Sequence, residues 1–381
     1  MLQKNISLSS STFGDPLLTA VHRALGEIQG HRPLAIADDE GVRFVLAIDG
    51  IDDTQLAAFI ENYCEGRASL VLSAVRAGMM DLPQEVAQGA VVTAIASIQE
   101  GDPDVARLME IATGLKPENL PVFEPAGRIA GVAVELAKLA QRIPVCLVSE
   151  PVEATFGEEA AITVRADDVE AFRPRLAATF KPVSQARVPI ADGINSRFVI
   201  FRNAIGGIAT VVIVGEPKAD APVPVRVHSS CLTGDIFGSR RCDCGEQLQL
   251  ALHRLEELGG GCLIYLDQEG RGLGLANKMH AYTLQDQGLD TVDANKLLGF
   301  HDDERDYHSA GYMLKRLGWE TITLLTNNPT KLTGLASAGI EIAGRLPVVT
   351  PVNPDNRRYL ETKARRAEHM LDDTAGLLET V

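Results

Sequence analysis

From Pro16 to Val169 the chain alternates short apolar runs with stretches whose apolar side chains recur every three or four positions. Thr54–Cys64 and Gly131–Gln141 carry that helical spacing, while Ser69–Ser73 and Pro144–Ser149 read as buried strands. Residues 1–15 are polar and Ser-rich and predict a loose end. Arg173–Arg187, with Pro174 and Pro182, has no clear period and predicts a linker. The second half opens on strand-like runs, Arg197–Arg202, Ile208–Val214 and Val223–His228. A helix is predicted over Cys244–Leu258, where Leu248, Leu252 and Leu255 share a face, followed by strand Cys262–Leu266. A Gly-rich turn then leads to helices over Leu275–Gln287 and Tyr307–Leu317 and to strand Thr321–Leu325. Strands alternating with helices in both halves predict two layered α/β domains, of the α/β (α+β) class.

Composition narrows the function classes. The 381 residues are 45% hydrophobic and 23% charged, ordinary for a globular protein and against disorder. No apolar run approaches the roughly 20 residues of a membrane span, and the first residues lack the apolar core of a secretory signal. A cytoplasmic protein is expected. The net charge is −15, with −11 in residues 1–184 (15 basic, 26 acidic) and −4 in the rest (21 basic, 25 acidic). Such a balance repels a nucleic-acid backbone. A small polyphosphate needs only a local cluster of cations and stays possible.

Of six cysteines, Cys64, Cys146 and Cys262 lie singly in apolar surroundings and read as buried thiols. Cys231, Cys242 and Cys244 fall within 14 residues, a spacing that points to a metal in a reducing compartment. Structural zinc takes four protein ligands, whereas catalytic zinc keeps one position open. Three cysteines plus water fit the catalytic case; a structural site completed by His228 or a distant residue is the alternative. Glu269-Gly-Arg-Gly-Leu-Gly274 lies between a strand and a helix, where backbone and helix N-terminus favour an anion, and Arg271 offers a planar fork. Asp302-Asp-Glu-Arg-Asp-Tyr307 precedes a helix and also suits plain capping. Thr326-Asn-Asn-Pro-Thr-Lys331 follows a strand, where α/β sheets bind ligands.

Together these segments resemble GTP cyclohydrolase II over residues 185–372. The resemblance rests on Arg226-Val-His-Ser-Ser-Cys231-Leu-Thr-Gly-Asp, Arg241-Cys-Asp-Cys-Gly, Gln268-Glu-Gly-Arg-Gly-Leu-Gly, Tyr282-Thr-Leu-Gln-Asp-Gln-Gly, Asp303-Glu-Arg-Asp-Tyr and Leu325-Thr-Asn-Asn-Pro. It implies a hydrolase that converts GTP to 2,5-diamino-6-ribosylamino-4(3H)-pyrimidinone 5′-phosphate, formate and pyrophosphate, the first step of riboflavin biosynthesis. It implies one catalytic Zn2+ per subunit on Cys231, Cys242 and Cys244, and Mg2+ with the triphosphate. GTP would contact Arg226, Val227, His228, Ser229, Ser230, Gln247, Glu269, Gly270, Arg271, Thr291, Thr326 and Lys331. Tyr282 would orient substrate or water, Asp303 would accept a proton, and Arg305 would act at the α-phosphate as nucleophile or as electrostatic stabiliser. A homodimer is implied, with no nucleic-acid or membrane partner. Ser230 stands where the family commonly has Glu, and Asp267 where it has a basic or small residue. These departures leave open a divergent paralogue acting on a related nucleotide. A further alternative is an inactive zinc- and nucleotide-binding regulatory protein.

The N-terminal half is more faintly similar to 3,4-dihydroxy-2-butanone 4-phosphate synthase, through Ala37-Asp-Asp-Glu40, Phe44-Val-Leu46, Arg67-Ala-Ser-Leu-Val-Leu-Ser and Asp81-Leu-Pro83. Gly41-Val-Arg43 follows where that family continues its acidic stretch. Its Gly-His-Thr-Glu is replaced near Gly131-Val-Ala-Val134, and residues 1–184 hold only His22 and His31. The expectation is a degenerate, non-catalytic synthase-like domain over 1–172 and a cyclohydrolase domain over 185–375.

Overall fold

The computed structural model describes residues 14–80, 82, 94–99 (backbone only), 104–152, 161–218, 220–351 and 353–356. The Ser-rich start, Asp81 and Pro83 fall outside them, except for Gly14 and Asp15. Contacts divide the described chain into two units. One runs to Arg175 and includes Lys296–His301; the other comprises Leu176–Asn295 and the residues from Asp302 onward.

The first unit holds strands β1 (Leu34–Asp38), β2 (Gly41–Ala47), β3 (Arg67–Leu72), β4 (Ala94–Gln99), β5 (Glu124–Pro125), β6 (Val145–Ser149) and β7 (Thr163–Arg165). They form one sheet in the order β5-β4-β3-β6-β2-β1-β7, antiparallel except for β1 with β7. Helix Asp53–Tyr63 begins with a capping box between Asp52 and Gln55 and buries Leu56, Phe59 and Ile60. Helix Arg128–Leu139 buries Val132, Ala133 and Leu136. Both helices and strands β3 and β6 follow the predicted periods.

The predicted linker is instead ordered structure. Helix Ala166–Ala177 contains Pro174 yet continues, anchored by buried Val169, Phe172 and Ala177. Strand β8 (Lys181–Arg187) follows, with every side chain exposed. It shows no hydrophobic period because it is an edge strand with no buried face, the place where Pro182 is tolerated.

The second unit adds β9 (Ser196–Arg202), β10 (Ile208–Gly215), β11 (Val223–Ser229), β12 (Gly260–Leu266), β13 (Thr321–Leu325) and β14 (Glu341–Leu346). Their order is β14-β13-β11-β12-β10-β9-β8; the first four are parallel and the rest antiparallel. Alternate residues feed two cores. Val211, Ile213, Val225, Val227, Cys262 and Ile264 pack with Met313, Leu314 and Leu335. Val212, Val214 and Leu263 pack with Ala251, Leu252 and Leu255 of helix Cys244–Glu257. Both faces of the sheet are therefore covered, which makes its central strands near-continuous apolar runs. Cys64, Cys146 and Cys262 are buried thiols. Burial pushes the first two up to about 12 and raises Cys262 as well. Among the described residues, no helix is long and apolar enough to cross a membrane.

Candidate active site

Parallel strands β11, β12 and β13 set the place of the site. β11 lies between the other two. The connection from β11 to β12 packs a helix on one face of the sheet and the connection from β12 to β13 packs one on the other, so a crevice opens at their ends. Into it run Ser230 and Cys231 after β11, the Gly-rich turn after β12, and Thr326–Asn328 after β13. The cleft has about 1000 Å3 of space, open solvent at its mouth included.

The three cysteines meet at its wall. Their sulfurs lie within 4.8 Å of one another, and Cys231 Sγ is 3.7 Å from Cys242 Sγ. Gly234 makes this approach possible: a Cβ there would stand 3.0 Å from Cys242 Sγ and 3.1 Å from Cys231 Sγ. No fourth Cys, His or carboxylate joins the group among the described residues. The donor set can hold a metal ion and leaves one tetrahedral position for another ligand. His228 is not that ligand. Its Nε2 faces the Asp235 carboxylate at 3.2 Å, its ring stacks on Tyr265 with centroids 5.6 Å apart, and burial lowers its pKa and favours the neutral ring. Asp235 also accepts from Tyr265 Oη at 2.8 Å and from the Cys231 backbone N–H at 3.0 Å. One buried carboxylate thus ties β11, β12 and the cysteine loop together. Bonds from the Cys242 and Cys244 thiols, and then the Lys278 ammonium, hold the Cys231 thiol far below its ordinary pKa.

Cations converge from several elements. Arg226 alternates with Val225 and Val227 along β11, so its side chain goes to the opposite face from theirs. It is buried, donates to Leu325 O at 3.0 Å and Gln247 Oε1 at 2.6 Å, and burial lowers it to about 10. Lys331 is buried and donates to Val227 O at 2.7 Å. Arg305 is clamped by Asp303 through two bonds, Nε to Oδ1 at 2.7 Å and Nη2 to Oδ2 at 2.6 Å. Burial acts to raise Asp303, but the Arg305 bond and charge prevail and hold it below the usual carboxylate range. The Gly-rich turn has Gly270 at φ +62 and Gly272 at φ +95, and Arg271 itself at φ +61. A non-glycine residue in the left-handed region marks a backbone held there by its surroundings. Arg271 pairs with Asp302, and its carbonyl accepts from Glu304 N at 3.1 Å.

Arg226, His228, Ser229, Ser230, Gln247, Glu269, Gly270, Arg271, Thr291, Thr326 and Lys331 all line this cleft, with Tyr282, Arg305 and the three cysteines. Val227 is the exception. Its side chain is buried in the opposite core, and its contribution is the carbonyl that holds Lys331. Asp303 is not on the wall either; it fixes Arg305, which is. Glu269 is engaged by the protein: it accepts from Leu232 N at 2.6 Å, Gly270 N at 3.0 Å and Lys278 Nζ at 2.7 Å. Ser230 and Asp267, the two departures from the family pattern, bond to each other at 3.4 Å. Sequence reasoning missed Lys278 and Gln285, both on the wall, and Asp235. The available signal was spacing: Lys278, Tyr282 and Gln285 fall on one face of helix Leu275–Asp286.

A profile of the GTP cyclohydrolase II family matches residues 181–347. A GTP cyclohydrolase-2 of Azospirillum brasilense is 45% identical over 245 residues, 62% of this chain; the match spans 64% of that protein. A riboflavin biosynthesis protein RibBA of Phocaeicola vulgatus is 46% identical over 205 residues, 54% of this chain and 50% of that protein. A GTP cyclohydrolase-2 of Xylella fastidiosa (strain 9a5c) is 38% identical over 376 residues, 96% of this chain and 91% of that protein. With both halves aligned to that last relative, and with the cysteine cluster and its cationic cleft inside the profile match, the chain belongs to the GTP cyclohydrolase II family.

Proposed function

We propose that the C-terminal unit hydrolyses GTP to 2,5-diamino-6-ribosylamino-4(3H)-pyrimidinone 5′-phosphate, formate and pyrophosphate, opening riboflavin biosynthesis. One observation carries this reading: three cysteines able to hold a metal open on the same cleft as Arg226, Arg271, Arg305 and Lys331. The donor set fits zinc. Thiolates about 2.3 Å from a tetrahedral ion stand about 3.8 Å apart, against 3.7 Å between the Cys231 and Cys242 sulfurs. Bound there, zinc would supply Lewis acidity and water activation for hydrolysis of the base at neutral pH.

The protein's own groups bind and orient. Lys331 and Arg226, buried beside the β11 end, present fixed positive charge to the triphosphate, whose Mg2+ arrives with it. Arg305 is a stabiliser of charge at the α-phosphate rather than a nucleophile. Its guanidinium stays protonated, and two of its nitrogens are committed to Asp303. Tyr282, under Arg241 at 4.5 Å from the ring centroid, orients the base or water. The N-terminal unit is a degenerate synthase-like domain with a structural or regulatory role. Arg43 lines its small cleft beside Asp38 and Glu40, where the related synthases carry further acids. The protein works in the cytoplasm as a homodimer.

The test is a turnover assay of the full chain with GTP, Mg2+ and zinc, following formate, pyrophosphate and the diaminopyrimidine together, with Cys242→Ser as control. All three products, lost in the control, support the reading. Pyrophosphate without formate means that the ring is not opened, and silence from zinc-loaded protein refutes the function.

A further inference from the structure

Lys278 sits inside helix Leu275–Asp286, and its side chain is only 10% exposed. An ammonium has three N–H donors, and burying it is costly unless each finds an acceptor. Three acceptors are in place: Glu269 Oε1 at 2.7 Å, Thr233 Oγ1 at 3.0 Å and Cys231 Sγ at 3.1 Å. Lys278 therefore borders the cleft with its donors already matched, unlike a lysine kept for phosphate. Glu269 is itself fixed by the Leu232 and Gly270 backbone N–H groups. A rigid chain of contacts thus runs from carboxylate to ammonium to thiolate.

The charge balance gives that chain a purpose. Three thiolates carry three negative charges against two on a divalent ion, a donor set rich enough to blunt the ion's electrophilicity. Groups that hydrogen-bond to metal ligands tune how strongly those ligands donate. A cation donating to one sulfur draws charge away from the metal. We propose that Lys278 is a positioning residue of the metal site, donating to the Cys231 sulfur so that an all-thiolate set keeps its ion electrophilic. This rests on the metal-dependent hydrolytic reading of the cleft.

The test uses full-length protein loaded with Co2+, whose thiolate charge-transfer band reports electron donation by sulfur without any substrate. K278M should move the band to longer wavelength. It should also lower kcat for formate release about tenfold while leaving KM for GTP within about twofold; K278R should restore part of both. An unchanged band overturns the proposal. So does a raised KM with kcat kept, which would make Lys278 a substrate ligand. Should K278M not fold, Glu269→Gln loosens the ammonium's anchor and should shift the band in the same direction by less; no shift overturns the proposal. A K278M shift in a protein whose unmutated form releases no formate would support the Lys278 contact while refuting the cyclohydrolase function.

Discussion

Gly234→Ala tests the cysteine cluster most directly. Gly234 is buried and is not among the residues with positive φ, so alanine can adopt its backbone. The difficulty is space. The new Cβ would stand 3.0 Å from Cys242 Sγ, 3.1 Å from Cys231 Sγ and 3.1 Å from Cys244 Cβ. Overpacking of this kind costs about 1–3 kcal/mol. In metal-free protein the thiols can turn aside, and alanine recovers about 0.4–1 kcal/mol by restricting the unfolded chain. Once a metal pins all three sulfurs, the clash is felt in full. The expected outcome is therefore a small change in unfolding temperature with chelator present, and a loss of about ten- to a hundredfold in zinc affinity, at about 1.4 kcal/mol per tenfold. Competition against a chromophoric chelator measures the affinity, and thermal unfolding with and without zinc measures the rest. An affinity within twofold of the unmutated protein would refute the reasoning. Equal destabilisation of both forms would refute it too, by placing the clash with the protein rather than with pinned sulfurs.

Two further predictions follow from carboxylates that hold the site's donors in place. Asp235→Ala leaves the His228 ring, the Tyr265 hydroxyl and the Cys231 N–H without their common acceptor. It should cost about 3 kcal/mol or more, seen as a fall of about 6–12 °C in the unfolding temperature of the C-terminal unit; a fall under a degree would show that the three donors find other partners. Asp303 is held below the usual range by Arg305, which outweighs burial. A depressed carboxylate contributes stability above its unfolded pKa of about 3.9, and loses it as pH falls through the folded value. The gap in unfolding temperature between the unmutated protein and Asp303→Asn should thus be constant from neutral pH down to about pH 5 and close in stronger acid. A gap that persists or widens there would contradict the assigned pairing.

Much of the site was legible in the chain because its parts are local. Cys242-Asp-Cys244 is a spacing, and Glu269–Gly274 is a turn whose glycines sit where φ is positive. The central strands β10, β11, β12 and β13 were legible because both faces are buried. Edge strands β8 and β14 were not: every side chain of β8 is exposed and none of β14 is fully buried, so no buried run marks them. Val227 was grouped with its neighbours for binding, yet one residue's step along β11 sends its side chain to the other core. Lys278 reads in sequence like any helix lysine facing water, and only the fold shows its ammonium among acceptors.

What the sequence determined alone is whatever depends on near neighbours: helical and strand periods, the glycine turn, and the paired cysteines beside a third. The tertiary structure decided which distant groups meet. Lys278 reaches a sulfur 47 residues away, Arg226 reaches the Leu325 carbonyl across 99, and Asp235 gathers donors from two strands and a loop. Those choices follow from parallel strands ending side by side at the carboxyl end of the sheet's centre. Strand pairing is non-local and is paid for by core burial, so no window of the chain contains it.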